Sequence, residues 1–510
     1  MKGLLLSGIF ALLTWSVSAG TTQRLVTMTS NGSERVQIAQ NEHAGNMESG
    51  KIMEEGQESG ESHGSEPAWW SVIPFILLLA MIATGPLFYP HFWHKYYPAI
   101  AFLLGTVVVF YYLFFLADYH HPLHAFGEYF SFITLVAALF IASGGILIKV
   151  DKAGTPMVNV LLLIFGALLA NVIGTTGASM LLIRPFIRVN KTRIKPYHIV
   201  FFIFMVSNVG GVLTPIGDPP LFLGFLKGVH FFWTLEHLWP YWLFGIGLLA
   251  MIFYYFDKHN HAGHVEPGEK EAEYSGKIII KGKHSVIWLL VIIIAVFIDP
   301  NIFSWVPALT IHGVDISFVR ELIMIGASIA AFTTANKEAL KGNEFDFEPI
   351  KEVAYLFVGI FASMMPALQL IADFAKSPTG AELINAKSLY WATGMLSGVL
   401  DNAPTYLNFL AAGMGKAGYS IDYTADVLAF AANNMEMLAA VSVGAVFFGS
   451  FTYIGNAPNF MVKSIAEQVG IKMPSFMGYV VRYSIPILLP VLFITWLVFD
   501  FFGFFNIIFG

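Results

Sequence analysis

The sequence predicts an all-α polytopic membrane protein made of two inverted-topology repeats, each with about five spans, a re-entrant hairpin and a broken helix. Three observations predict it. Apolar runs of membrane-crossing length recur along almost the whole chain after Trp69. Two shorter apolar segments carry flanking charges that a straight crossing would put on the wrong side. One polar interruption rich in Gly and Pro occurs twice in related form.

Of the 510 residues, 56% are hydrophobic and only 12% charged, against about 25% charged in soluble domains. The bilayer is therefore the expected solvent and a partner of most of the surface. Ten runs rich in Leu, Ile, Phe and Val are long enough to cross, as helices, a hydrocarbon core of roughly 30 Å. The net charge of -6 includes no basic stripe suited to nucleic acid. With no cysteine, disulfides, thiol nucleophiles and Cys-based metal sites are excluded. No HExxH spacing, nucleotide-binding loop or catalytic-triad arrangement is present, so neither an enzyme nor an ATP-driven pump is expected, and no cofactor.

At the N-terminus, Lys2 precedes an apolar run from Leu4 to Leu13, and Val17-Ser18-Ala19 has the small residues a signal peptidase reads. Cleavage after Ala19 is expected, making 1–19 a signal peptide. Residues 20–68, rich in Glu, Ser, Gly, Asn and Gln, are too polar to bury a core and read as a disordered acidic tail outside the cytoplasm. His43 and His63 belong to that solvated tail.

Lys and Arg in short loops mark the cytoplasmic side. By that rule Trp69 to Phe88 crosses inward to His91, His94 and Lys95. Pro98 to Ala117 returns to an acidic loop with Asp118 and Glu128, and Tyr129 to Ile148 crosses inward to Lys149 and Lys152. Met157 to Ile183 comes next, followed by Arg184, Arg188, Lys191, Arg193 and Lys195. As a single span it would leave the densest basic cluster outside. At 27 residues it is too short for two spans of about 20. A hairpin that enters and returns satisfies both constraints, since irregular backbone is tolerated at that depth where protein buries it or it lines a cavity.

Tyr197 to Leu226 then crosses outward and Trp239 to Phe256 comes back, delivering residues 257–284 to the cytoplasm as a polar linker in which His259, His261 and His264 are solvated. Ser285 to Val306, Phe318 to Thr334 and Lys351 to Phe374 are spans. Leu389 to Ala412 is the second short segment, and two longer runs follow. Lys337, Lys341 and Lys351 inside make this second hairpin enter from outside. The repeats are thus 69–256 and 285–510, in a bacterial inner membrane with the N-terminal tail extracytoplasmic. Arg320 and Glu321 at a span start are expected at the interface, and Asp299 and Asp373 near water.

The chemistry concentrates in the interruptions. The first hairpin holds Asn171-Val-Ile-Gly174-Thr175-Thr176-Gly177, and the second holds Asp401-Asn402-Ala-Pro404-Thr405. Downstream, Ser207-Asn208-Val-Gly-Gly-Val-Leu-Thr214-Pro215-Ile216-Gly217-Asp218-Pro219-Pro220 answers to Gly449-Ser450-Phe-Thr452-Tyr-Ile454-Gly455-Asn456-Ala-Pro458-Asn459. Superposing Ile216 on Ile454 aligns Thr214 with Thr452, Gly217 with Gly455 and Asp218 with Asn456. Proline deletes a backbone hydrogen bond and clashes with the preceding turn, so these stretches must unwind inside the membrane. Unwinding exposes carbonyls and helix ends, which with Asn amides and Thr hydroxyls can replace the water around a small cation, while half-helix N-termini favour an anion. Asp218 and Asp401 are the decisive residues, because a carboxylate at mid-bilayer costs about 2.5–3.5 kcal/mol on insertion scales and tends to face a site. Either can hold Na+ when ionised and carry H+ when protonated. The structural alternative is that Asp218 caps the broken helix and Asp401 caps the hairpin. Glu436, in Asn433-Asn434-Met-Glu436, is a third buried-acid candidate, with an interfacial placement as the alternative.

The stretch Asn208 to Pro220 together with Leu400-Asp401-Asn402-Ala-Pro-Thr405 resembles the ion transporter superfamily, in particular NhaD-type sodium/proton antiporters and citrate transporters, with arsenite permeases close behind. The resemblance covers Trp69 to the C-terminus. It implies a scaffold domain that often dimerises, giving a homodimer, and a moving transport domain that carries the two hairpins. It maps the site to Asn171, Thr175 and Thr176, to Asn208 through Thr214, Gly217 and Asp218, to Asp401, Asn402 and Thr405, and to Thr452, Gly455, Asn456 and Asn459. The Ser-Asn-Thr signature of the carboxylate-transporting branch is not intact, since the first hairpin reads Asn-Val-Ile-Gly-Thr-Thr.

Two functions follow as expectations. One is Na+/H+ antiport, with Na+ and H+ competing for Asp218 and Asp401 as Na+ is exported by alternating access. The other is cation-coupled uptake of citrate or another small carboxylate, with an arsenite or anion permease as a further alternative. Against the carboxylate, no Arg or Lys falls inside either motif, and a trianion without a basic partner is costly to desolvate.

Overall fold

Pro at the first turn of a helix is tolerated because the N–H it lacks has no intrahelical partner there. Five helices of this chain begin on proline, at Pro90, Pro156, Pro196, Pro219 and Pro378. The computed structural model describes residues 66–510 except 151–153, 263–277, 300–302, 304, 308, 312–313, 502 and 510. The expected signal peptide, almost all of the acidic tail and much of the expected linker lie outside the described residues.

A short 3-10 turn, Trp69–Val72, leads into α1 (Ile73–Phe88), followed by α2 (Pro90–Phe114) and α3 (His120–Gly144). Helix α4 (Pro156–Val189) follows, then α5 (Pro196–Met205), a 3-10 stretch Val209–Leu213, α6 (Pro219–Lys227) and α7 (Trp233–Ala262). The second half holds α8 (Lys283–Val296), α9 (Val319–Thr333), α10 (Lys337–Gly342), α11 (Glu348–Lys376) and α12 (Pro378–Leu383). It continues through α13 (Ala386–Ser397), α14 (Asn402–Lys416), α15 (Thr424–Asn433), α16 (Met435–Phe448) and α17 (Ala457–Gln468). The last span, Phe476–Asp500, contains two π-helical stretches, Val480–Leu488 and Leu497–Phe501.

The protein is thus an all-α polytopic membrane protein. Among the described residues its few strands are two antiparallel ribbons: β1 (Leu147–Val150) with β2 (Ile278–Lys281), and β3 (Leu309–Ile311) with β4 (Val314–Ile316). The first ribbon takes up the end of the expected linker. Lys281 pairs with Glu338 of α10, and that hydrogen bond holds the Glu338 carboxyl below its usual range.

Eight helices among the described residues are long and apolar enough to cross a membrane, or nine if the bent pair α15–α16 counts as one. Two of the ten expected spans are shorter than predicted. The one from Ser285 keeps 14 helical residues because its C-cap falls at Phe297, and the one from Phe318 keeps 15.

Both expected hairpins fold back. In α4, Gly174 takes φ 79° and ψ 155°, outside the helical region, a conformation that glycine adopts without a Cβ penalty. The arms return side by side, and Asn159 and Asn190 exchange reciprocal amide bonds of 2.7 Å. Helices α13 and α14 form the second hairpin, closed at its base where the Lys416 ammonium reaches the Ile384 carbonyl. The two bases lie at opposite ends of α3. Asp422, just after the second hairpin, stands 4.0 Å from His121 at the start of α3. At the other end, Asn343 donates to the Gly144 carbonyl (2.9 Å) and the neighbouring Glu344 pairs with Arg184 of the first hairpin (3.0 Å).

Burial grades across the layers. The segment from Pro196 to Leu213 is 94% buried, whereas the most apolar window of α2 is 22% buried and turns Phe102, Phe110 and Phe114 outward. Helix α5 and the break after it are therefore the centre of the molecule, and α1 and α2 its rim.

Three charged residues expected near water are instead buried. Asp257, placed in the linker by sequence, lies inside α7, fully buried, where Arg193 (2.8 and 2.5 Å), Tyr197 (2.6 Å) and Asn159 (2.9 Å) donate to it. Arg320 and Glu321 are buried together, with Arg320 also bonded to Asp299 (2.8 Å) and Ser131 giving its hydroxyl to Glu321 (2.6 Å). Each charge is tolerated because an opposite charge and hydrogen bonds accompany it.

Candidate functional site

The two hairpin tips and the two unwound stretches meet at Asp218. At the first break the chain leaves α5, makes the Val209–Leu213 turn and passes extended through Thr214 before α6 starts at Pro219. The second break follows the same course from Gly449–Phe451 through Thr452 to α17 at Ala457.

Each tip is pinned to its own break by one backbone bond. The Thr175 N–H donates to the Gly217 carbonyl (2.8 Å), and the Asn402 N–H to the Gly455 carbonyl (3.2 Å). Each break is also closed by a pair of glycines in near contact. A Cβ on Gly217 would collide with the Gly211 carbonyl oxygen, and one on Gly455 would come within 2.6 Å of that of Gly449. Bulk at either glycine is incompatible with the turn.

Asp218 sits at the N-cap position of α6 but makes no side-chain cap bond. Its carboxylate, 1% exposed, reaches across to three neutral donors. Oδ1 accepts from the Thr175 hydroxyl (2.7 Å) and the Asn456 amide (2.9 Å), and Oδ2 accepts from the Asn402 amide (2.7 Å). Among the described residues no Lys, Arg or His forms an ion pair with it. Asp401 behaves in the opposite way. Its carboxylate caps α14 by accepting from the Ala403 N–H (3.0 Å), and its carbonyl accepts from the Thr405 hydroxyl (2.8 Å).

Behind this shell lies a layer of amides. Asn208 donates to Asn459 (2.7 Å) and to the Ile203 carbonyl (2.8 Å), while Asn456 also reaches Asn208 (3.2 Å). Asn459 in turn donates to the carbonyls of Gly449 (2.8 Å) and Thr452 (2.9 Å), tying its break together. Asn171 does the same for the first break: it donates to the Gly210 carbonyl (2.7 Å), accepts from the Leu213 N–H (2.9 Å), and its carbonyl accepts from the Thr214 hydroxyl (2.6 Å).

Of the residues singled out from sequence, Thr175, Asp218, Asn402 and Asn456 therefore form the inner shell. Asn208 and Asn459 back it, and Asn171, Thr214, Gly217, Thr452 and Gly455 shape the breaks. Asp401 and Thr405 hold the second tip, and Thr176, half-buried, is not among the groups bonded to Asp218. Sequence reading missed the Ser179–Ser207 hydroxyl pair (2.8 Å) beside the Asn208 turn and the buried Glu128–Lys227 ion pair (2.8 Å) at the far end of α6. Lys227 falls one residue beyond the apolar run, where a lysine reads as interfacial.

The arrangement offers a carboxylate, two amides and a hydroxyl to a small cation once the Asn402 and Asn456 amides turn their oxygens inward. It also gathers the N-termini of α6, α14, α17 and the second arm of α4, whose positive dipole ends stabilise negative charge.

Residues 64–500 match a protein-family model described as "Putative citrate transport", and the chain belongs to that family, which is consistent with the ion transporter superfamily. No curated protein matches the chain.

Proposed function

We propose that this membrane transporter is a cation-coupled secondary transporter in which Asp218 binds Na+ and H+ in competition, giving Na+/H+ antiport by alternating access. One observation carries the reading: a buried carboxylate bonded to neutral donors from both hairpin tips and the second break, with no basic partner among the described residues. An ionised, unpaired carboxylate at that depth is costly, and a bound proton or Na+ removes the cost. Because the shell comes from both halves, ion occupancy is sensed by both at once. Entry of the two hairpins from opposite ends of α3 supports an inverted repeat, with each hairpin facing one side of the membrane.

A second reading, cation-coupled uptake of citrate or another small carboxylate, is favoured by the family description and by the four converging helix N-termini. Purified protein in proteoliposomes separates the two. Radioactive sodium flux driven by an imposed pH gradient, without labelled citrate uptake, is the antiport result. Citrate uptake driven by a Na+ or H+ gradient replaces it with the second reading.

A further inference from the structure

Glu436 was a candidate acid without a partner in the sequence, and the structure supplies one in Asp500. The last span ends in the π-helical stretch Leu497–Phe501, a distortion that is frequent at functional sites. There it turns both Phe499 and Asp500 inward, leaving them 3% and 8% exposed. The Phe499 ring lies 4.2 Å from that of Tyr241 on α7, and Phe505 lies 6.1 Å from the same ring.

Neither oxygen of the buried Asp500 carboxylate closes a well-formed hydrogen bond, and the hydroxyl of the fully buried Tyr241 faces it as a weak donor. The titratable groups that face Asp500 are Tyr241 from α7, Tyr390 from α13 and Glu436 from the first turn of α16. The Tyr390 hydroxyl is already committed to the Leu492 carbonyl (2.9 Å). No basic group is among them.

We infer that Asp500, with Tyr241 and Glu436, forms a second proton-binding site, separate from Asp218. A buried carboxylate with no donor beyond a tyrosine hydroxyl, beside another acid, is stable only when its charge is removed. A proton needs one oxygen, whereas a metal cation needs several, and the lining here is aromatic. The site stands at the start of α16, whose 14 residues run about 21 Å to the break that carries Asn456. A proton at Asp500 is therefore placed at one end of the helix whose other end feeds the Asp218 shell. This inference holds whichever ion Asp218 carries.

The test is modification by dicyclohexylcarbodiimide, which attacks protonated carboxyls in apolar surroundings. The full-length protein in proteoliposomes is treated across a pH series and its peptides mapped by mass spectrometry. The site predicts an adduct on Asp500 that declines as pH rises. Glu436→Gln, which removes the neighbouring negative charge and leaves the backbone alone, should move the midpoint of that decline down by about one pH unit. Asp500→Asn should lose this adduct. Absence of an Asp500 adduct at every pH, or a midpoint indifferent to Glu436→Gln, overturns the inference.

Discussion

The two breaks share a backbone and differ in charge. Thr175 N–H to Gly217 and Asn402 N–H to Gly455 are the same bond made twice, and each break is closed by the same pair of near-touching glycines. At the matching helix starts, however, the first half places Asp218 and the second Asn456, and at the tips Asp401 stands beside Asn402 but turns its carboxylate back into its own helix. The lesson is that the two breaks share the backbone that unwinds, while the buried carboxylate bonded to three donors stands in the first break alone. One carboxylate receives donors from both halves, so under the proposed function a change in its occupancy reaches both.

That comparison can be broken or sharpened by substitution. The largest effect is expected at Asp218: Asp218→Asn should reduce sodium-dependent flux in proteoliposomes by at least about 100-fold, because the one buried charge at the meeting point is lost. Undiminished flux would move the ion elsewhere. Next come the glycines. Gly217→Ala and Gly455→Ala both overpack a closed turn, each by about 1–3 kcal/mol. Thermal unfolding in detergent should show the larger loss for Gly217→Ala, whose Cβ meets the Gly211 oxygen more closely than the Gly455 Cβ meets Gly449.

Within the shell, Asn402→Ala leaves Oδ2 with no remaining donor, whereas Asn456→Ala leaves Oδ1 still bonded to Thr175. A hydrogen bond to a charged group is worth about 1.5–3 kcal/mol, and the amide oxygen that would turn to the cation goes with it, so Asn402→Ala should weaken sodium affinity about tenfold or more, and Asn456→Ala, whose Oδ1 keeps Thr175 to hold the carboxylate in place, less. Equal losses would mean that the two oxygens are not distinguished. The smallest effect is expected at Asp401. Asp401→Ala removes a helix cap worth about 1 kcal/mol, visible in unfolding, and Asp401→Asn, itself a good cap, should be close to neutral in both unfolding and flux.

Much of this was legible in the chain. Pro and Gly punctuation is local, so the unwound stretches at Thr214–Asp218 and Thr452–Asn456, and the turnback at Gly174, could be read from neighbouring residues alone. What Asp218 and Asp401 do could not. Both precede a helix start, and either could have capped it. The outcome depends on which side chains approach from residues more than 180 positions away, as Asn402 approaches Asp218. For the same reason Arg320 and Glu321 read as interfacial and Asp257 as part of the linker: a charge at the end of an apolar run looks solvated until its partner, supplied by a distant helix, is known. Asp500 was passed over because it closes the last span, where an acid reads as interfacial; in the structure it is buried within the π-helical turn.

Equilibrium binding of radioactive sodium to the purified protein tests the central claim most directly, with Asp218→Asn and Asp401→Asn measured side by side against wild type. The account predicts that Asp218→Asn abolishes binding while Asp401→Asn retains it. Sodium binding that survives Asp218→Asn and disappears with Asp401→Asn would contradict it.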